Sequence, residues 1–258
     1  GLRPALRAGQ ETRVPVVVVG AGPVGLALGN ELGWRGIACL LVERATGLPD
    51  FPTCEAINAR TMEHMRRWGF AQQIRDAGFP PDIPRTVRFV TRVLGHELLC
   101  FERPSNAGFR DELAPVTPEG GVWCPRMLFE PVMRRHLDTY PQVGVAAGWQ
   151  VTGFTQDAQG VRVQVESIAD GAQASVRADY LVACDGAASG TRKALGIAMQ
   201  GAFAEGHNLT IYFRSAALRD LLATRPGVMM DIVNPEGRAN LSWVDGNDRW
   251  RLINYVQP

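Results

Sequence analysis

The sequence predicts an α/β fold: a parallel sheet opened by a βαβ unit of dinucleotide-binding type and extended by a β-meander, joined to a second, mixed or antiparallel sheet. Three observations carry this expectation. Residues 14–19 are a valine-rich run, the pattern of a strand buried on both faces. Gly20, Gly22 and Gly25 follow it at GxGxxG spacing and open a segment of helical period. From residue 207 onward the apolar stretches "NLTIYF", "GVMMDIV", "ANLSWV" and "WRLINYV" are separated by the turn signals "NPEG" and "DGND".

Taken in order, residues 1–13 are polar and ragged and are expected to form a flexible lead-in. Residues 23–35 have helical spacing, with Val24, Leu28 and Leu32 on one face and Gly25, Ala27 and Gly29 where a helix must lie close to a sheet. Residues 37–42 are a second buried strand, which completes a βαβ unit of about 30 residues. Residues 60–68 read as a helix capped by Gly69, and 86–101 as a hairpin around Gly95 that belongs to a different sheet. Residues 104–125, rich in Pro and Gly, read as a connecting loop. Residues 126–140 form an amphipathic helix whose face of Leu128, Phe129, Val132, Met133, His136 and Leu137 should pack on the first sheet. A short strand at 143–146 and a meander at 151–155, 161–167 and 174–177 come next. The apolar run 180–184 then rejoins the first sheet, and a helix spans 188–195. The predicted division is a nucleotide-binding domain of residues 14–82 and 104–206 and a substrate-binding domain of 83–103 and 207–258.

Composition narrows the function classes. The 258 residues are 46% hydrophobic and 21% charged with a formal net charge of +1, which is ordinary for a globular protein. No polybasic face suggests nucleic acid. The longest apolar run is short of a membrane span, and the opening lacks the apolar core of a secretory signal, so a cytoplasmic chain is expected. Five cysteines, Cys39, Cys54, Cys100, Cys124 and Cys184, are odd in number and never spaced CxxC, which favours buried thiols over disulfides or zinc. The four histidines, His64, His96, His136 and His207, have no metal-ligand spacing, so no metal is expected.

The chemistry concentrates at the glycine loop. Gly20 makes a tight turn, Gly22 lets backbone N–H groups reach a pyrophosphate, and Gly25 lets the helix lie against the strand with its positive end toward the anion. Glu43 closes the second strand, where its carboxylate can accept hydrogen bonds from a ribose diol. The residues alone also allow a plain turn and a solvated glutamate, and they leave NAD and FAD equally open.

Further motifs separate the two. "GAGPVGLALGNELGWRGIACLLVER", "NARTMEHMRRWG", "CPRMLFEPVMRRHL" and "ADYLVACDGAASGTRKALGI" occur in that order. Together they resemble the FAD-dependent aromatic hydroxylases, the single-component flavoprotein monooxygenases of the p-hydroxybenzoate hydroxylase fold. The resemblance covers nearly everything from Val14 to Pro258 and implies an FAD-binding Rossmann-like sheet of the GR2 type. It implies cofactor-binding roles for Gly20, Ala21, Gly22, Pro23, Val24, Gly25, Glu43, Arg44, Arg60, Arg126, Val151, Asp185 and Gly186, with Arg192 a weaker candidate. The residues themselves permit other duties: Arg60 pairing with Glu63, and Asp185 capping the helix that follows it. Arg126 stands where many relatives carry glutamine, and Thr53 where a basic residue is common.

The resemblance also implies an activity. NADPH or NADH would reduce FAD, and O2 would then give a flavin C4a-hydroperoxide that hydroxylates a phenolic or polycyclic aromatic ring. The flavin supplies that chemistry, so no catalytic side chain is expected. The substrate wall should come from the hairpin at 86–101 and the strands from 209, with Tyr212, Met230, Ser242 and Asn254 as candidates by position alone. The family's third motif, a "GD" followed by an "AAH"-like stretch, does not occur before Pro258. The substrate domain is therefore expected to be incomplete, with the chain the N-terminal portion of a longer protein, one half of a split flavoprotein, or a non-catalytic FAD- or partner-binding module. A homodimer is a further possibility, and an NAD-dependent dehydrogenase is disfavoured because no catalytic dyad accompanies the glycine loop.

Overall fold

The computed structural model describes residues 3–202 and 206–256, so Gly1, Leu2, Gln257 and Pro258 at the ends of the expected domains lie outside the described residues. The chain folds into two compact units, residues 1–48 with 130–200 and residues 49–129 with 201–258.

In the first unit, β1 (Glu11–Val19) leads through the glycine loop into α1 (Pro23–Trp34) and β2 (Cys39–Glu43). The chain returns at β7 (Val143–Ala147), β8 (Trp149–Asp157), β9 (Gly160–Ser167), β10 (Gln173–Ala183) and α6 (Gly190–Ala194). The six strands form one sheet in the order β7-β2-β1-β10-β9-β8. β1 is parallel to both β2 and β10, and β2 is parallel to β7, whereas β10-β9-β8 form the antiparallel meander. The apolar runs are buried, and Val14, Val17, Leu40, Val42, Val163, Val165 and Val176 belong to one hydrophobic cluster. Two expected strands, at 174–177 and 180–184, are one. β10 pairs with β9 through Ala178 and with β1 through Ala183, so the ladder carries the chain across the polar Asp179 and half-solvated Tyr180.

Two expectations need correction in this unit. Strand β1 begins at Glu11, opposite Ser175, and the segment before it is tied down: Arg3 donates to Asp138 Oδ1 at 2.6 Å, and Gly9 N–H donates to Gln173 O at 2.7 Å. Gly25 and Gly29 are buried on α1 as expected, together with Leu26, Asn30 and Gly33, but Val24 is 68% exposed and does not join a buried apolar face. The helix packs on its small residues because they allow closer approach than the larger apolar ones. A Cβ on Gly29 would sit 3.1 Å from Leu41, and one on Gly33 only 2.4 Å from the Tyr140 ring. Asn30, wholly buried, donates to Leu26 O at 2.8 Å and Met133 O at 3.2 Å, which pins α1 to the segment after Glu130.

The second unit contains β3 (Ala56–Ile57), α2 (Ala59–Trp68), α3 (Ala71–Ala77), β4 (Val87–Val90), β5 (Glu97–Phe101), α4 (Asn106–Leu113) and β6 (Val122–Trp123). After residue 201 it adds β11 (His207–Arg214), α7 (Ala216–Leu221), β12 (Met229–Asn234), β13 (Gly237–Trp243) and β14 (Arg249–Val256). Its main sheet has the order β11-β14-β13-β12-β4-β5, mixed because β12 and β4 run parallel. The hairpin around Gly95 is present as β4–β5, and Gly69 caps α2 with φ 94°. Residues 104–125 are more than a loop, since they contain α4, capped by Ser105 accepting from Gly108 N–H, and β6, paired with β3. The segments 49–82 and 104–129, expected beside the nucleotide sheet, belong to this unit. Asn106 holds them together by donating to Phe79 O and accepting from Trp123 N–H. Helix α5 (Arg126–His136), followed by a 3-10 turn at Leu137–Thr139, runs across the boundary of the two units and buries Phe129, Val132, Met133 and Leu137.

All five cysteines are free thiols. Cys39 and Cys124 are buried as expected, and burial pushes both thiols up to about 12, whereas Cys54 is exposed.

Alanine ordinarily stabilises a helix relative to glycine, but at Gly33 the added methyl collides with Tyr140. Gly33→Ala should therefore cost about 1–3 kcal/mol of unfolding free energy in a urea titration. On a Tyr140→Ala background the same change should cost nothing.

Candidate functional site

The glycine loop is shaped by backbone crowding. Gly20 has φ 97°, donates its N–H to Val42 O at 2.8 Å, and lies where a Cβ would be 2.5 Å from Cys184 O. A Cβ on Gly25 would be 1.9 Å from Gly20 O. Gly22 is the N-cap of α1 in extended conformation, Pro23 fills the first turn, and no side chain caps this end. The first turn holds no acidic residue, and the helical ladder starts with Leu26 N–H to Gly22 O at 2.9 Å. The positive end of a twelve-residue helix is thus left without a side-chain acceptor, beside a loop whose Gly20 and Gly25 lie against backbone, an arrangement suited to a pyrophosphate.

Glu43 has a duty that its sequence position does not reveal. Its Oε2 accepts from Ala21 N–H at 2.7 Å and its Oε1 from Ala45 N–H at 2.8 Å, so one carboxylate ties the glycine loop to the end of β2. Each oxygen retains a further lone pair for a ribose hydroxyl. Arg44 follows, exposed. At the end of β10, Cys184 N–H donates to Val19 O at 2.8 Å, which places the "CDG" turn beside the glycine loop. Asp185 Oδ2 accepts from Thr191 N–H at 3.0 Å and Thr191 Oγ1 at 3.1 Å, while Ser189 caps α6 by accepting from Arg192 N–H. Burial pushes the Asp185 carboxyl up, but hydrogen bonds from Ser189 and Thr191 outweigh it and leave the group below its ordinary value. Gly186 is exposed with φ 80°, and Arg192 is turned to Ile197 O at 2.5 Å. Val151 is half-buried on β8, where it packs against the apolar cluster of the sheet.

The remaining candidates lie in the second unit. Arg60, exposed in the first turn of α2, pairs with Glu63 at 2.8 Å, and Glu63 also accepts from Thr117 Oγ1 at 2.6 Å. Those hydrogen bonds, Thr117 first and then Arg60, hold the Glu63 carboxyl below its ordinary value. Half-buried Arg126 donates its backbone N–H to Thr53 O at 3.1 Å. The four substrate-wall candidates separate by face. Met230 is in the core with Val90, Leu222, Leu241 and Trp250, and exposed Asn254 falls on the same face by alternation. Tyr212 and Ser242 share the opposite face, because strand register sets Ser242 beside Arg251 and Arg251 beside Tyr212.

That face carries a buried polar chain that sequence reading missed. Ser242 Oγ donates to Asn240 Oδ1 at 2.8 Å, Asn240 donates to Asp231 at 3.2 Å, and Arg251 reaches Ser242 at 3.4 Å while forming a tight ion pair with Glu55. Burial raises the Glu55 carboxyl, opposed by the charge and hydrogen bond of Arg251. Burial likewise raises the Tyr212 phenol, opposed by Arg249. The alternation of polar residues in "GRANLSWV" was the one available signal, and Glu55 had none.

The chain matches the family described as FAD binding domain over residues 13–257. It belongs to that family. Relatives of this FAD binding domain chain include a putative polyketide hydroxylase of Streptomyces halstedii, 34% identical over 92% of this chain and 42% of that protein. A tetracenomycin B2 monooxygenase-dioxygenase of Streptomyces olivaceus is 32% identical over 92% of this chain and 45% of that one. Among solved structures, K252c-soaked RebC is similar with a TM-score of 0.87 and 35% identity, over 98% of this chain and 48% of the other. The flavin-dependent monooxygenase PieE in complex with FAD and substrate follows at 0.86 and 26%, over 95% and 43%. The chain spans less than half the length of these proteins. FAD is the family's cofactor, and the side-chain-uncapped start of α1 and the Glu43 carboxylate fit its pyrophosphate and ribose.

Two outcomes follow from this geometry. In a flavin fluorescence titration, Glu43→Ala should weaken FAD binding about tenfold or more through loss of charge-assisted hydrogen bonds, and Gly25→Ala should abolish it. Asp185 lies below its ordinary value of 3.8, so the stability it contributes is complete above that pH and is lost as pH falls through the folded-state value. Thermal melts should accordingly show wild type above Asp185→Asn at neutral pH and a shrinking gap below about pH 3.8.

Proposed function

We propose that this chain supplies the ADP-binding half of an FAD-dependent aromatic hydroxylase that acts on a phenolic or polycyclic aromatic substrate with NADPH or NADH and O2. The observation that carries the reading is the start of α1 without a side-chain cap, with Glu43 hydrogen-bonded to Ala21 in the loop before it, in a chain whose relatives are named hydroxylases and monooxygenases. Bound FAD would supply the redox chemistry, taking reducing equivalents from the pyridine nucleotide and activating oxygen.

In this reading the N–H groups around Gly22, Pro23, Val24 and Gly25 hold the pyrophosphate, with Ala21 fixed behind them by Glu43. Glu43 and Arg44 receive the adenosine. Asp185 and Gly186 border the cofactor from the end of β10, while Asp185 also caps its own turn through Thr191. Arg60 and Arg126 are proposed as cofactor contacts from the second unit, and for Arg60 this requires exchange or sharing of the Glu63 pair. Tyr212 and Ser242 are the substrate-side candidates on the polar face of the second sheet. Met230 serves packing there. No side chain is assigned a covalent role. The protein is proposed as cytoplasmic; among the described residues no helix is long and apolar enough to cross a membrane.

Protein containing this chain should purify yellow, with a flavin identified by mass spectrometry as FAD, and should consume NAD(P)H faster when a phenolic substrate is present. Folded protein that takes up NAD instead of FAD would overturn the reading. FAD binding without stimulated turnover in the intact protein would favour a non-catalytic module.

A further inference from the structure

Within the second unit, helix α3, residues 78–81, the start of α4 and the turn between β13 and β14 surround a half-open cleft of about 560 Å³, a volume that suits a drug-sized molecule. Phe79, Pro80, Pro81 and Ala107 give it an apolar wall, and Phe79 is itself packed edge-on against Trp243. The wall is fixed by backbone. Phe79 N–H donates to Trp123 O at 2.9 Å and Ala107 N–H to Pro81 O at 3.0 Å, while a Cβ on Gly246 would be 2.4 Å from Pro80, so the turn that carries Asp245 is pressed against the prolines. A cleft held open in this way takes a ligand without first reorganising.

The polar groups around the cleft select the charge of that ligand. Arg75 is the one cation in the lining, and its charge is taken up by buried Glu119, to which it donates at 2.5 Å. Asn106 spends both ends of its amide on the wall, donating to Phe79 O and accepting from Trp123 N–H. The two carboxylates are not spent. Asp76, exposed at the rim, accepts at Oδ1 from the neutral Gln72 at 2.8 Å, and no cationic side chain of the described residues pairs with it. Asp245 uses Oδ1 for the N–H groups of Asn247 and Arg249, at 2.9 and 3.1 Å, and its Oδ2 stands 3.6 Å from Arg249 Nε, beyond hydrogen-bond reach. Each therefore keeps lone pairs for a donor brought by a ligand.

We propose that this cleft binds an organic cation, an ammonium group carried on a flat apolar body. Asp76 and Asp245 receive the ammonium, and the body lies on Phe79, Pro80 and Pro81. An anion of the same shape would meet two carboxylates with the Arg75 charge already engaged, and a neutral molecule would gain the apolar contact alone. The lining includes none of the proposed cofactor or substrate contacts, so the site goes beyond the proposed hydroxylase function and does not rest on it.

Naphthylmethylammonium is a fluorescent probe of this shape, and naphthylacetate is its anionic counterpart. In anisotropy titrations of the chain at low salt, the cation should bind at one site, and the anion about tenfold more weakly or not at all. Asparagine keeps the Oδ1 acceptor that Gln72 and the turn use, so Asp76→Asn and Asp245→Asn should fold normally. Each should weaken the cation about threefold, and the double variant about tenfold, with neutral naphthylmethanol unaffected. Ala107→Trp, at an exposed position in the first turn of α4, should fill the cleft and abolish binding of the cation while circular dichroism is unchanged. Equal affinity for cation and anion, cation binding indifferent to the double aspartate variant, or full binding in Ala107→Trp would each overturn the proposal.

Discussion

Two strand ends and one helix meet where a Cβ on either Gly20 or Gly25 would collide with backbone. Gly20 must sit against the carbonyl of Cys184, and Gly25 against the carbonyl of Gly20, so β1, β10 and α1 close on one another through bare backbone. The parallel order β2-β1-β10 brings the carboxyl ends of the three strands to the same edge of the sheet. The contact then fixes where α1 starts and which way it points. Because the loop is held from both sides, by Val42 O accepting from Gly20 N–H and by Glu43 accepting from Ala21 N–H, the open start of α1 is a rigid feature rather than a flexible turn. Preorganisation of this kind lowers the entropy cost of seating an anion.

The second unit rests on a different kind of constraint. Its sheet joins strands distant in sequence, with β4 parallel to β12 and the partly buried Glu55–Arg251 pair tying the segment before β3 to β14. A buried ion pair is a poor source of net stability, since desolvation of both charges offsets most of their attraction, but removing one partner strands the other at a cost of about 3–5 kcal/mol. The pair therefore acts as a register device. Only the observed pairing of β13 with β14 sets Ser242 beside Arg251, and a one-residue slip would turn Ser242 and Asn240 into the face now filled by Met230, Leu241 and Trp250.

The legible parts of the fold were those whose signals are local. The valine run of β1, the glycine loop, the hairpin at Gly95 and the Gly69 cap each announce themselves within a few residues, and each is present. The missed elements α3, α4, α7, β3 and β6 are short and held by distant partners, as Asn106 holds Phe79 and Trp123. On α1 the glycine spacing was legible, since Gly25 and Gly29 were expected against the sheet and are buried there; Gly33 and Asn30 were not, because their burial depends on Tyr140 and Met133, distant in sequence. At the site, the cradle was readable from spacing. The hold of Glu43 on Ala21 was not, because it depends on the register of β1 with β2.

Asp185 and Arg60, both proposed cofactor contacts, each have a structural duty as well. Both Thr191 donors fall on Asp185 Oδ2; burial pushes the carboxyl up, but these bonds and that from Ser189 outweigh it and hold the group below its ordinary value. The same bonds fix the turn that presents Gly186 at positive φ beside the strand end. Capping is thus a means of positioning. Arg60 is the opposite case: its Glu63 pair is exposed on the arginine side, and solvent screening leaves such a pair weak, so the proposed cofactor contact would displace it at small cost. Glu63 would not be left unsatisfied by the exchange, because Thr117 continues to donate to it at 2.6 Å.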